Sequence, residues 1–277
     1  MNIGFIGTGN MGKILIESFV ESLAVPPSKL TITNRTIEKA IAIKNSLPDI
    51  TVVATNEDVV KGSDLIFICV KPLEIHPLLH QLSPCLTSSK CIVSITSPIS
   101  VEQLESIVNC QVARIIPSIT NRALTGVSLF TFGSSISSRF KDYLEFLFEQ
   151  ISAPVHINND ITRVASDIVS CGPAFFTYLV RKFINAAVKE TKITEEQATL
   201  LASEMIVGMG KLLEKEIYTL PTLQEKVCVK GGVTGEGIKA MEENIGELFE
   251  ELFKSTHRKF DEDICEVNKQ FNETPSR

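Results

Sequence analysis

The chain begins with a short apolar strand that runs without interruption into a glycine turn, Asn2-Ile3-Gly4-Phe5-Ile6-Gly7-Thr8-Gly9-Asn10-Met11-Gly12. Strand, tight turn and helix start in this order make a cradle for a dinucleotide pyrophosphate. Gly7 permits the sharp turn. Gly9 removes the side chain where backbone must approach phosphate, and Gly12 lets the following helix pack close to the strand. Thr8, Asn10 and Met11 complete the turn. The helix N-terminus offers free N–H groups and the positive end of a dipole to anionic oxygens. An amphipathic run, Ile14-Leu15-Ile16-Glu17-Ser18-Phe19, carries the helix onward. Flanks of this kind favour a ligand-binding turn over an ordinary βα connection.

The first half of the chain then alternates strand and helix. Strands are expected at 3–6, 30–33, 51–54, 65–70, 91–95 and 112–116, with helices at 11–22, 36–46, 56–61, 73–82 and 101–108 between them. A run such as Leu65-Ile66-Phe67-Ile68-Cys69-Val70 suits a strand buried on both faces. The alternation predicts an α/β fold, a doubly wound parallel Rossmann sheet. A further strand at 126–132 is expected to close its edge.

After about residue 158 the periodicity becomes helical. A helix is expected over 162–189, kinked or broken at Gly172-Pro173. Thr194-Glu195-Glu196-Gln197 reads as a capping box opening a helix over 195–215. A last long helix is expected from Thr234 towards Val267, with Ile238, Met241, Ile245, Leu248 and Leu252 along one stripe. That stripe either packs within the chain or forms a dimer seam. The reading is therefore residues 1–157 as an NADP-binding Rossmann domain and 158–277 as an all-α substrate and dimerisation domain. The tail 270–277 is expected to be frayed.

Composition narrows the function classes. A net charge of −6 argues against a nucleic-acid surface, which needs a basic stripe. No apolar run reaches membrane-spanning length. The first strand starts at residue 2 with no basic segment before it, so a secretory leader is not expected. Seven scattered cysteines without CxxC spacing fit a reducing compartment, and a cytoplasmic location is expected. His76 and His80 stand at i,i+4, but no third ligand is apparent nearby, so no metal site is expected.

The second strand ends Thr33-Asn34-Arg35-Thr36. An NAD-binding chain usually places an acid here for the ribose hydroxyls. This one offers Asn34 and a guanidinium, which suits a 2′-phosphate, so NADP (as NADPH) is expected over NAD. Asn34 or Thr36 capping the next helix is compatible with that role. Val70-Lys71-Pro72 follows the fourth strand at its carboxyl end, the side on which open α/β sheets bind ligands. Pro72 also suits a helix start. Lys71 either contacts cofactor or is simply exposed.

With these segments in order, and with Arg114-Ile115-Ile116-Pro117, Cys171-Gly172-Pro173-Ala174-Phe175 and Gly231-Gly232-Val233-Thr234 after them, the chain resembles the pyrroline-5-carboxylate reductases over nearly its whole length. The resemblance implies an N-terminal Rossmann domain and a helical domain that interlocks two subunits. It also implies NAD(P)H-dependent reduction of the cyclic imine 1-pyrroline-5-carboxylate to L-proline. It further implies that the late glycine loop, here Gly231, Gly232, Val233 and Thr234, holds the substrate carboxylate, with Thr234 at the catalytic centre, and Lys230 beside it is a further candidate substrate contact. The expected partners are a small imino-acid substrate and a second copy of the chain, as a homodimer or an assembly built from it, with no nucleic acid and no membrane.

The substrate half departs from the family pattern. Val229-Lys230 stands where the family has Ser-Pro, and Ser166-Asp167-Ile168-Val169 where it has Thr-Gly-Leu-Ser. Ser170-Cys171 replaces Gly-Ser, Ile116-Pro117-Ser118-Ile119-Thr120 replaces Met-Pro-Asn-Thr-Pro, and Thr96-Ser97-Pro98 replaces Ala-Ala-Gly. Asp167 thus brings a carboxylate near the expected place of an anionic substrate. Lys230 either pairs with a carboxylate or lies exposed. Two alternatives stand beside the imine reductase. One is another NADP oxidoreductase on the same scaffold. The other is a cofactor-binding, weakly active or inactive regulatory protein, for example one associated with competence.

Overall fold

The computed structural model describes residues 1–272. Eight strands form one sheet: β1 (Ile3–Ile6), β2 (Leu30–Thr33), β3 (Thr51–Val52), β4 (Leu65–Ile68), β5 (Cys91–Ser94), β6 (Gln111–Ile116), β7 (Val127–Phe132) and β8 (Ala153–His156). Their order is β3-β2-β1-β4-β5-β6-β7-β8. All neighbours are parallel except β6 and β7. The strand expected at 126–132 is therefore β7, but it is not the edge, because β8 pairs beyond it.

The helices of this part are α1 (Asn10–Glu21), α2 (Ile37–Ser46), α3 (Asn56–Gly62), α4 (Pro72–Leu82), α5 (Val101–Glu105) and α6 (Ser138–Glu149). Strand residues alternate between two apolar layers, one on each side of the sheet. Ile3, Phe5, Phe67, Val93 and Ile115 belong to one layer, together with Phe19 of α1 and Phe148 of α6. Phe5 stacks on Phe67 with centroids 4.8 Å apart, and Phe19 meets Phe148 edge-on at 5.3 Å. Ile6, Ile66, Ile68, Ile92 and Val112 form the other layer with Ile75 and Leu79 of α4. Burying a side chain of this size contributes on the order of 2 kcal/mol, so both layers are needed to order the sheet.

Further along lie α7 (Thr162–Ser166), a π-helical turn (Asp167–Cys171), α8 (Gly172–Glu190), α9 (Glu195–Glu214), α10 (Leu220–Val227), α11 (Val233–Ile245) and α12 (Leu248–Asn272). The break expected at Gly172-Pro173 takes the form of the π turn just before it. Widening the backbone there accommodates a proline that cannot donate a ladder hydrogen bond. The capping box at Thr194 is formed, with Thr194 Oγ1 accepting from Gln197 N at 3.2 Å and Gln197 Oε1 accepting from Thr194 N at 3.1 Å. The single long helix expected from Thr234 is two helices. They part at Gly246, whose φ of 49° leaves the right-handed helical region.

The chain forms two compact units, Met1–Pro173 with the segment from Ser255 onward, and Ala174–Lys254. They cut across the division at residue 157. In the first unit, the end of α12 packs onto the Rossmann sheet's helices. Val267 is 1% exposed within the second apolar layer. Gln103 Nε2 donates to Asn268 Oδ1 at 2.8 Å, and Gln270 Nε2 donates to the Leu73 carbonyl at 3.1 Å. In the second unit, Ile184 of α8 and Ala198 and Ala202 of α9 make a small core. Phe176, Phe183, Leu200, Leu201 and Met205 stand exposed on its surface. No described helix is long and apolar enough to cross a membrane.

Candidate functional site

The carboxyl ends of β1, β2 and β4 open onto a cavity of about 800 Å³. The parallel register places the three ends side by side, since Ile6 pairs with Thr33 and with Ile68. The glycine turn forms one wall. Gly7 has a φ of 97°, and a side chain there would strike the Cys69 backbone. A side chain at Gly12 would strike the Gly7 carbonyl. Gly9 is different. It lines the cavity, and a Cβ built on it meets no other group within 4 Å. Packing therefore requires glycine at positions 7 and 12, while at position 9 the chain itself imposes no such need. Gly9 is also the N-cap of α1, and no side chain caps that end, so the first-turn amides have no intrahelical partners. Thr8 Oγ1 is buried without a hydrogen-bond partner.

Of the residues singled out in the sequence, Gly7, Gly9, Asn34, Arg35, Thr36, Val70 and Lys71 line this cavity. Thr8 and Gly12 are buried behind it, and Asn10, Met11 and Pro72 are outside its lining. Asn34 braces the wall. Its Oδ1 accepts from Thr8 N at 3.0 Å, and its Nδ2 donates to the Thr36 carbonyl at 2.9 Å. Thr36 is the N-cap of α2 but makes no side-chain cap bond. Arg35 projects from the end of β2 and pairs with Glu74 at 2.9 Å. Lys71 caps the start of α4 through its backbone, with Pro72 in the first turn. The Cys69 thiol below the turn is raised far above its ordinary range by burial, so it stays neutral. The sequence reading missed Glu74, although an acid three residues after the Lys71 N-cap is a helix-start signal.

The late glycine loop lies in the second unit. It follows α10, and Gly231 has a φ of 77°. Gly232 is the N-cap of α11, and Val233 is its first residue. Lys230, Gly231 and Val233 are exposed, and Gly232 and Thr234 are half-buried. A left-handed glycine followed by an uncapped helix start gathers backbone N–H groups in a form that suits an anionic oxygen.

Asp167 sits in the π turn of the first unit and is 1% exposed. Its Oδ1 meets Arg163 Nη2 at 2.9 Å, and its Oδ2 accepts from Thr256 Oγ1 at 2.7 Å. Arg163 also lies over the Phe260 ring at 5.2 Å and reaches Cys171 Sγ at 3.5 Å. Burial is the main cause that raises the Cys171 thiol. Arg114 is buried and donates to Asn159 Oδ1 at 2.8 Å and Thr162 Oγ1 at 2.9 Å. Desolvation pushes its guanidinium down to about 10, still cationic at neutral pH. His76 and His80 place their Nε2 atoms 3.3 Å apart. Among the described residues no group of three or more potential ligands comes together to hold a metal.

Comparison with known proteins finds similar chains over the full length. Residues 159–263 match the model of a family described as pyrroline-5-carboxylate reductase dimerisation. Residues 2–98 match one described as NADP oxidoreductase coenzyme F420-dependent. The chain is 60% identical over 272 residues to ComE operon protein 4 of Bacillus subtilis, spanning 98% of this chain and 100% of that one. It is 28% identical to pyrroline-5-carboxylate reductase 3 of the same organism, spanning 97% and 98%. The crystal structure of a Plasmodium falciparum pyrroline carboxylate reductase with NADP bound shares the fold, with a TM-score of 0.81 at 21% identity over 98% of each chain. By the order of its motifs, its fold and these full-length matches, the chain belongs to the pyrroline-5-carboxylate reductase family.

Proposed function

We propose that the protein is an NADPH-dependent reductase of a cyclic imino acid, 1-pyrroline-5-carboxylate giving L-proline, or of a closely related imine. Gly9 carries the cofactor half of this reading. It lines an open cavity at a helix start, where the protein's own packing does not demand glycine. A pyrophosphate approaching the backbone does demand it.

In this reading Gly7 to Gly12 cradle the pyrophosphate through the free backbone N–H groups of the α1 start. Asn34, Arg35 and Thr36 face the adenosine ribose and its 2′-phosphate. Val70, Lys71 and Pro72 border the nicotinamide side. Bound there, NADPH supplies the hydride. Amides of Gly231, Gly232 and Val233, with the Thr234 hydroxyl, hold the substrate carboxylate, and Lys230 adds a cation at the rim of that loop. Their task is positioning, because an iminium is already electrophilic and needs no strong general acid. Residues 1–157 serve as the NADP-binding domain and 158–277 as the helical substrate and dimerisation domain. The exposed apolar side chains of the second unit fit a homodimer through the C-terminal helices. The scattered free cysteines fit a cytoplasmic protein.

A second reading has its own support. Val229-Lys230 removes the serine hydroxyl that the family loop usually offers, and ComE operon protein 4 is a full-length relative. On that reading the chain binds cofactor but turns over weakly or not at all, and acts as a regulatory protein, for example in competence.

One experiment separates the two. NADPH oxidation with pyrroline-5-carboxylate is followed on purified protein, and NADPH binding is titrated on the same sample. Proline formation in step with NADPH loss is the expected result. Tight NADPH binding without turnover favours the regulatory reading. Absence of binding overturns both.

A further inference from the structure

The cavity beside the glycine turn contains an ion pair that the cofactor reading does not use. Arg35 Nη1 meets Glu74 Oε1 at 2.9 Å, while Glu74 Oε2 receives a long hydrogen bond of 3.4 Å from Lys71 N. One carboxylate thus links the end of β2 to the start of α4. Both side chains are well exposed, at 85% and 41%, so the pair is weak and open to exchange. The other carboxylate in the lining, Glu57, is engaged by Gln81 Nε2 at 2.6 Å. Lys39 and Lys71 line the same cavity. The cavity is thus lined by Arg35, Lys39 and Lys71 against Glu57 and Glu74, and Glu74 is the acid positioned on the guanidinium.

We propose that Glu74 is a specificity-determining residue, which sets the cofactor preference of this cavity by competing with an adenosine 2′-phosphate for Arg35. The inference rests on the reading of Arg35 as the 2′-phosphate contact. A phosphate and a carboxylate at one guanidinium repel each other, so NADPH must displace Glu74 or bind against its charge. NADH has a hydroxyl at that position and leaves the Arg35–Glu74 pair intact. Glu74 therefore narrows the margin by which Arg35 favours NADPH.

The test is a double-mutant cycle on the full-length protein, with Kd measured for NADPH and NADH by nicotinamide fluorescence. Glu74→Gln removes the charge but keeps an acceptor for Lys71 N, so the helix start is preserved. E74Q is expected to tighten NADPH about three- to tenfold and leave NADH within about twofold, as for loss of an exposed ion pair plus a nearby repulsion. In an Arg35→Ala background the same substitution is expected to leave the NADPH:NADH ratio unchanged. The proposal falls if E74Q does not tighten NADPH, if it shifts both cofactors alike, or if its effect persists without Arg35. If R35A collapses the ratio while E74Q does nothing, only the role of Glu74 falls. If R35A leaves the ratio unchanged, or if neither cofactor binds, the 2′-phosphate assignment falls with it.

Discussion

Thr256 donates its hydroxyl proton to Asp167 Oδ2 at 2.7 Å, tying α12 to the π turn across 89 positions of sequence. Asp167 is buried, and its other oxygen is matched by Arg163. The carboxylate that the sequence sets among the expected substrate residues is thus already paired inside the first unit. Asp167→Ala removes the Thr256 hydroxyl's acceptor and leaves Arg163 without its counter-ion. It is expected to cost about 2–4 kcal/mol, read as a lower urea midpoint. Thr256→Val loses the single hydrogen bond and is expected to cost about 1 kcal/mol.

Two glycines of the same turn are expected to respond in opposite ways. Gly12→Ala drives a Cβ against the Gly7 carbonyl, a backbone clash expected to destabilise by about 1–3 kcal/mol. Gly9→Ala meets no protein atom and has an extended backbone with φ −68°. Its melting temperature is expected to stay near that of the parent, while NADPH affinity falls about tenfold or more, a loss of at least about 1.4 kcal/mol. A Gly9→Ala protein that binds NADPH as tightly as the parent would contradict the pyrophosphate cradle.

Thr234→Ala is expected to lower turnover with pyrroline-5-carboxylate while leaving NADPH affinity within about twofold, because the hydroxyl is assigned to substrate positioning. Steady-state kinetics and a cofactor titration on the same preparation check it. A large loss of NADPH binding would remove Thr234 from the carboxylate loop.

The imidazole of His76 is held below its ordinary value of 6.5, first by burial and second by the neighbouring His80. The unfolded chain therefore binds more protons than the folded one as pH falls through that range. The associated stability is fully present above pH 6.5 and is lost as pH falls through the folded pKa. The His76 ring also packs edge-on against Phe271 at 4.8 Å, so acidification is expected to loosen the end of α12. NMR titration should find His76 below 6.5 in the parent. In His80→Ala the value should rise only part of the way, since burial remains. A full return would make His80 the main cause.

Much of this was legible in the chain alone, and the failures have physical reasons. β1, β4, β5 and β6 stood out because apolar runs buried on both faces carry their own signal. β8 did not, since Ala153-Pro154-Val155-His156 is four residues long, contains a proline and lies at the sheet edge. α6 has Phe140, Leu144, Leu147 and Phe148 at helical spacing, a pattern available in the sequence but not drawn out there. The apolar stripe from Ile238 to Leu252 runs through Gly246 without losing its period, so periodicity concealed the break that the glycine's left-handed φ creates. At the candidate site, the glycine turn, Arg35 and Lys71 were readable as local motifs. The Arg35–Glu74 pair was not, because it joins the end of β2 to the first turn of α4, segments on either side of β1 that only folding brings together. Asn34 came out as a brace for the turn rather than a free donor, a role that depends on which loop lies opposite.

The burial of Val267 also bears on the timing of biosynthesis. The apolar layer it completes includes Ile75, Leu79 and Val101, all made long before α12 leaves the ribosome. Until then, that layer lacks the Val267 side chain that packs with α4 and α5. A fragment stopped at His156 lacks Val267 in this layer permanently, and is a poor choice for preparing the nucleotide domain on its own. The first domain to be synthesised is closed by the last helix.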